Sequence, residues 1–322
     1  MTVTALGLPS VLGRTAPTDK TAPTDGPLID RYGRIAKDLR VSLTDRCNLR
    51  CTYCMPADGL DWLPTERLLR PHELIRLLRL GVTRLGITSV RFTGGEPLLA
   101  KSLEEIIGAT ARLRPRPEIA LTTNGVGLAS RADRLAAAGL DRINVSLDTV
   151  DAARFAAITR RDRLTDVLAG LAAARTAGLD PVKINAVLDP ATGRDDAVDL
   201  LRFCLDHGYQ LRIIEQMPLD PEHRWKRGEA LTSDDVLVAL RRQFTLEPDR
   251  TPRGSAPAEL WLVDGGPATV GVIASVSHAF CAACCATVPT TRRSRPRGVR
   301  RCGRRPLDTA STTRASFNRI DR

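Results

Sequence analysis

Aromatic residues are scarce in this chain: three Trp, three Tyr and six Phe among 322 residues. The core must therefore be largely aliphatic, and a hydrophobic fraction of 43% is enough to build a substantial one. Long apolar runs are also missing. None approaches the roughly 18 residues of a membrane-spanning helix, and no basic segment followed by an apolar one marks a signal peptide at the N-terminus. A soluble, cytoplasmic protein with no membrane association is expected. Histidine is limited to four residues without ligand spacing, which removes histidine-rich metal sites. Length and composition fit one large α/β domain with a small addition.

The charge is unevenly spread. Of the net +11, residues 285–322 carry +9, from eleven Arg and no Lys against Asp308 and Asp321; the other 284 residues carry only +2. That segment has a single aromatic, Phe317, so stacking on bases finds little support and a nucleic-acid partner is not expected. Residues 1–30 are poor in large apolar side chains and contain the near-duplicates Thr15–Lys20 and Thr21–Gly26. Such composition predicts a disordered leader.

Between these ends the pattern alternates strands and helices. Strands are expected at Leu39–Leu43, Val90–Phe92, Ile119–Leu121, Ile143–Leu147, Lys183–Val187 and Leu211–Ile214. Helices are expected from Pro71, over Leu103–Leu113, 130–138, 151–158 and 164–177, and near 196–207. Repeated βα units imply a parallel sheet. Polar residues at the strands' C-terminal ends fit the active face of a barrel. The fold expected is α/β: an incomplete (βα)6 TIM-type barrel over 31–218, then a small C-terminal cap over 219–284, with a helix at Thr232–Arg242 and short strands at Glu259–Val263 and Val270–Ile273. Residues 285–322 are expected to be disordered.

Eight cysteines in a chain of this kind point to metal or redox use rather than disulfides. Cys47, Cys51 and Cys54 form a C-x3-C-x2-C run in one loop. Four thiolates normally hold a [4Fe–4S] cube. Three would leave one iron open to a small chelating molecule. Zinc is the weaker alternative, since its structural sites take two further ligands and no His lies nearby. About forty residues on, Gly94-Gly95-Glu96-Pro97 follows a strand. Its glycines allow close backbone approach to a ligand, and Glu96 offers a carboxylate for an ammonium group.

Together these motifs resemble the radical S-adenosylmethionine superfamily. Within it, the ordered set of segments resembles the GTP 3′,8-cyclase family, which acts in molybdenum cofactor synthesis. The set comprises Leu43–Pro56, Val90–Leu99, Thr122–Gly125, Asn144–Asp148, Val182–Asn185, Leu211–Pro218 and Phe280–Cys284. The resemblance implies a [4Fe–4S] cluster on Cys47, Cys51 and Cys54, at which catalysis occurs. It implies S-adenosylmethionine contacts at Tyr53, Gly95, Thr122, Ser146 and Met217, and GTP contacts at Arg40, Arg91, Lys183 and Arg212. A 5′-deoxyadenosyl radical would remove the ribose 3′ hydrogen of GTP, and C3′ would bond to C8. The implied partners are GTP, a flavodoxin- or ferredoxin-like electron donor, the downstream molybdopterin-precursor synthase and a second copy in a homodimer.

The family's second cluster uses C-x2-C-x13-C. Cys281 and Cys284 supply the first pair, but the third position is Gly298, and Cys302 falls four residues late. The family's Arg-x-Arg after the pair and its double-glycine C-terminus have no counterpart. The abrupt change predicts a reading-frame shift just after Cys284, and damage to the second cluster. The other readings are an inactive paralogue or a radical enzyme acting on another substrate. Ser89 and Ala100 stand where the family commonly carries Lys and Arg, which predicts weakened GTP binding.

Overall fold

The computed structural model describes residues 26–29, 35–218, 225–226, 228–251 and 256–278. Residues 1–25 of the leader, Cys281, Cys284 and the Arg-rich segment lie outside the described residues. So do Gly298 and Cys302.

Six strands alternate with helices. They are β1 (Asp38–Ser42), β2 (Ser89–Thr93), β3 (Glu118–Thr123), β4 (Arg142–Ser146), β5 (Val182–Val187) and β6 (Gln210–Ile214). The helices between them are α1 (Pro71–Arg84), α2 (Leu103–Ala111), α3 (Ala132–Ala138), α4 (Ala152–Thr159), α5 (Leu164–Thr176) and α6 (Gly193–His207). Local chemistry sets many boundaries. Pro71 opens α1 with its φ already suited to a helix, while the Glu73 side chain accepts from the Arg70 N–H (2.8 Å). Gly139 and Gly208 close α3 and α6 in the left-handed conformation, at φ 103° and 70°.

The strands are two-faced. In β5, Val182, Ile184 and Ala186 are buried, while Lys183, Asn185 and Val187 are half-buried on the opposite face. The first face packs under the helices with Val90, Phe92, Ile119, Leu121, Ile143 and Val145. The second faces the inside of the curved sheet. Neighbouring strands from β1 to β6 are all parallel and joined in sequence order, as successive βα units require.

The segment expected as a cap over one barrel end instead continues the sheet. Its helix is α7 (Ser233–Arg241), and its strands are β7 (Leu246–Pro248), β8 (Glu259–Val263) and β9 (Thr269–Ile273). β9 pairs in parallel with β6, and β8 and β7 follow antiparallel, giving the order β1-β2-β3-β4-β5-β6-β9-β8-β7. The physical reason is the open edge of β6. Its Leu211 and Ile213 are buried, and β9 supplies both hydrogen bonds and the apolar Val270 and Val272 beside them. No helix occurs between β6 and α7 among the described residues.

Candidate active site

The cysteine loop leaves β1 at the C-terminal rim of the sheet and is held from two sides. Gly95 N–H donates to Thr44 O and Glu96 N–H to Arg46 O, both at 2.7 Å. From the other side, Arg50 N–H donates to Thr159 O (3.0 Å) and Thr52 N–H to Ile158 O (2.9 Å), so the end of α4 caps the loop. Arg160, at φ 55°, sends its guanidinium back to Arg50 O and Met55 O. The expectation for the two glycines is therefore refined. A Cβ at Gly94 would lie 2.5 Å from Thr44 O, and one at Gly95 would lie 2.4 Å from the carbonyls of Asp45 and Arg46. What approaches the glycines is the cysteine loop itself. Gly95 still leaves its own surface exposed.

Cys47 and Cys51 are half-buried and Cys54 is exposed. Burial pushes the Cys47 thiol up. Cys51 is pushed well above the ordinary thiol range, first by burial, then by Asp148 and by its neighbours Cys54 and Cys47. A thiol whose ionisation is opposed by burial, a carboxylate and two neighbouring thiols suits a strongly cationic centre, which would hold it as a thiolate. Among the described residues, no three His, Cys, Asp or Glu side chains converge as for one ion. A cube asks for a different arrangement, because each thiolate binds its own iron. The loop's donor set thus fits a [4Fe–4S] cluster. Asn124 adds a polar cover, with Nδ2 donating to Asn48 Oδ1 (2.7 Å) and to Cys47 Sγ (3.7 Å).

Glu96 does not offer its carboxylate to an ammonium group. It is fully buried and accepts from Thr123 Oγ1 (2.6 Å), Asn124 N–H (2.7 Å) and Leu98 N–H (2.9 Å). It ties the Gly-Gly turn to the end of β3. Burial outweighs these bonds and lifts its pKa to about 7. Asp148 does similar work after β4. It accepts from Tyr53 Oη (2.7 Å) and Val187 N–H (2.8 Å), and burial lifts its pKa to about 6. Tyr53, expected at S-adenosylmethionine, thus anchors the cysteine loop to β4 and β5 through its hydroxyl.

The remaining residues expected at S-adenosylmethionine lie on the same rim. Thr122 is near the end of β3 and Ser146 ends β4, both half-buried, and Met217 follows β6.

Below the rim lies a group of cations. Arg40 and Arg91 are Cα partners across β1 and β2, and Lys183 and Arg212 occupy inward positions of β5 and β6. Burial first, then Arg40, Arg142 and Arg212, lowers Arg91 to about 10. Burial first, then Arg212, Arg142 and Arg91, lowers Lys183 to about 8. Arg212 is also lowered, by burial and then by Arg142 and Arg40. The four expected GTP cations therefore share one electrostatic field. A fifth, Arg142, belongs to it and was missed by the motif reading. It pairs with Glu118 at the start of β3, so its charge is partly spoken for. Its inward parity on β4, shared with Ser146, was the signal that could have found it. Of the two departures, Ser89 lies on this inward face beside Glu118, whose carboxyl it helps lower. Ala100 packs against the hydrophobic core and gives its carbonyl to Arg131, away from the cation group.

Residues 41–204 match the Radical SAM superfamily and residues 209–287 match Molybdenum Cofactor Synthesis C. The GTP 3′,8-cyclase of Mycobacterium marinum is 73% identical over 290 residues, covering 88% of this chain and 81% of that protein. GTP 3′,8-cyclase 2 of Mycobacterium tuberculosis is 70% identical over 290 residues, with the same coverages of 88% and 81%. Among solved structures, anSMEcpe with bound AdoMet superposes at a TM-score of 0.50, with 20% identity over 64% of this chain and 59% of its own. Methylornithine synthase (PylB) superposes at 0.50 with 13% identity over 64% and 61%. These two show a shared fold. The rim loop, the partial barrel and the sequence relatives converge on one assignment: the chain belongs to the GTP 3′,8-cyclase family of the radical SAM superfamily.

Proposed function

We propose that this chain converts GTP into a 3′,8-cyclised nucleoside triphosphate, the first step toward molybdopterin. The observation that carries this reading is the layering of one sheet face. A three-cysteine loop stands at its rim, and Arg40, Arg91, Lys183 and Arg212 stand deeper on the same inward face. GTP carries about four negative charges, and such a group of cations suits its triphosphate. The sugar of a triphosphate held there would project toward the rim. With the cluster and S-adenosylmethionine in place, one-electron reduction supplies the 5′-deoxyadenosyl radical. The chain's own part is to bind the two molecules, orient them and exclude water. Cys47, Cys51 and Cys54 would hold the cluster. Tyr53, Gly95, Thr122, Ser146 and Met217 would line S-adenosylmethionine.

The test is anaerobic turnover of reconstituted protein with GTP, S-adenosylmethionine and a reductant, read by mass spectrometry. The expected result is 5′-deoxyadenosine together with the cyclised triphosphate. Formation of 5′-deoxyadenosine while GTP stays intact would overturn the cyclase reading and leave the radical chemistry standing.

A second element of the proposal concerns Cys281 and Cys284. They would supply two ligands of a second cluster whose third position is Gly298. The Molybdenum Cofactor Synthesis C match ends at residue 287, close to where the family pattern is lost. We read this as a frame shift after Cys284 that impairs cyclisation more than cleavage of S-adenosylmethionine. Iron counting decides it: about four irons per chain support one intact cluster, and about eight contradict the damage. The same change favours, as a second reading, a homologue without turnover, recognised by failure to complement a strain lacking the cyclase. A flavodoxin- or ferredoxin-like donor, a downstream synthase, a homodimer and a cytoplasmic location complete the proposal. No described helix is long and apolar enough to cross a membrane.

A further inference from the structure

Asn124 stands between β3 and the cysteine loop and is held from three sides. It is the first residue after β3 and is half-buried. Its N–H donates to Glu96 Oε2 (2.7 Å), and its Oδ1 accepts the Val126 N–H (3.0 Å), which closes an Asx turn. A backbone N–H can only donate. The amide oxygen must therefore face Val126, and the amide nitrogen must face away from it. The two hydrogens on that nitrogen have two acceptors, Asn48 Oδ1 at 2.7 Å and Cys47 Sγ at 3.7 Å. The Leu49 N–H reaches the same sulfur. One donor to Cys47 thus comes from the loop's own backbone, and the other is sent in from the end of a neighbouring strand.

The turn by itself does not require an amide. A Ser or Thr hydroxyl could accept the same N–H, more weakly. What Asn adds is a neutral N–H aimed at the sulfur while its oxygen holds the turn. Sulfur bound to a [4Fe–4S] cluster becomes more negative when the cluster gains an electron. A donor at that sulfur therefore stabilises the reduced cluster more than the oxidised one.

We propose that Asn124 tunes the rim cluster by raising its reduction potential through Cys47, so that a low-potential one-electron carrier reduces it more readily. The carrier gives up one electron and the cluster takes it, with no bond made or broken in that step. Asn124 acts through Cys47 as a positioning residue. This rests on the cluster reading of the cysteine loop and not on GTP as the substrate.

The test is an anaerobic redox titration of the reconstituted full chain, with dithionite and mediator dyes, read by the electron paramagnetic resonance of the reduced cluster. S-adenosylmethionine and GTP are left out, so neither ligand enters the readout. Cys51→Ala identifies the rim signal by removing it. Asn124→Ser keeps an oxygen for Val126 but stops one bond short of Cys47. It should keep the iron content of the wild type. Its one-electron reduction constant should fall about three- to tenfold, tenfold being about 59 mV. A merely structural role would lower iron content and leave the potential of the assembled cluster where it was. Asn124→Thr carries the test if Asn124→Ser takes up no iron. An unchanged or raised potential with iron retained overturns the inference and leaves the cluster reading standing. Loss of iron from both variants also overturns it, because Asn124 would then only hold the loop. A wild-type chain with no cluster signal overturns the cluster reading and this inference with it.

Discussion

The rim and the depth of one sheet face hold buried charge in opposite ways. At the rim, Glu96 and Asp148 are carboxylates whose oxygens are taken up by named donors, mostly backbone N–H groups. They spend their acceptors on holding the chain. Deeper in, Arg91, Lys183 and Arg212 are shifted by burial and by one another. Those charges stand on the sheet itself; Glu118 pairs with Arg142 and also favours the Lys183 ammonium, and Asp38 favours the Arg91 guanidinium. The contrast separates a finished scaffold from a receptive one. A loop that must present three thiols at fixed spacing needs its geometry set before any ligand arrives. A cation group that must take a polyanion gains from a surplus of positive charge, which draws the anion in.

Loss of a rim thiol tests the scaffold side most severely. Cys51→Ala should abolish cluster assembly, with iron falling from about four per chain to near zero and 5′-deoxyadenosine formation with it. Retention of the cluster's visible absorption would show that the loop is not its holder.

On the receptive side, Arg91→Met should weaken GTP binding by about ten- to a hundredfold, the range of one or two charge-assisted contacts. Affinity for S-adenosylmethionine should change little. Lys183 adds a pH signature. Its ammonium loses its proton near pH 8 in the empty protein, so GTP affinity should fall as the pH rises through about 8. Lys183→Arg keeps the charge and should flatten that profile. Equal losses for both ligands after Arg91→Met would dissolve the distinction between the two levels.

Glu96 separates the levels by pH in another way. Its folded pKa of about 7 stands above its ordinary value of 4.5. Between those values the folded protein keeps a proton that the unfolded chain releases, so stability should fall as pH rises from about 4.5 to about 7 and then level off. The size is on the order of 3 kcal/mol, and Asp148 adds a fall of the same sign ending near pH 6. Glu96→Gln cannot titrate and should remove Glu96's share of the slope, measured by thermal unfolding across this range. An unchanged slope would mean that Glu96 stays ionised throughout.

How much of this was legible beforehand follows from the range of the interactions. Helix ends at Gly139, Gly208 and Thr232 were readable because caps act within a few residues. The inward and outward faces of β2 to β6 were implicit in their alternation. The pairing of β9 with β6 was not, since partners such as Leu211 and Val270 lie 59 positions apart and only the open edge of β6 decides it. Glu96 was misjudged for the same kind of reason. Its residue type suggested a ligand, but its direction is fixed by contacts with Thr123 and Asn124, twenty-seven and twenty-eight residues away. Arg142 was overlooked because no motif marks it. Its inward parity on β4 and the shared field of five cations bring it forward.

The smallest effect is expected at Tyr53. Its phenol, pushed well above the ordinary range by burial and then by Asp148, keeps its proton and donates it to Asp148 Oδ2. Tyr53→Phe preserves the ring and removes only that donor. The loop retains its backbone bonds to Thr44, Arg46, Ile158 and Thr159, so the cluster should still assemble. What is lost is one satisfied buried acceptor, worth about 1–3 kcal/mol of stability. With one donor fewer, Asp148 should hold its own proton to higher pH, and the loss should be larger at pH 8 than at pH 5.5. Thermal unfolding at the two pH values, with iron content measured alongside, checks both points. If iron content collapses while stability barely moves, the Tyr53–Asp148 bond sets the thiol geometry directly. The rim would then owe its shape to one side-chain contact rather than to its backbone frame.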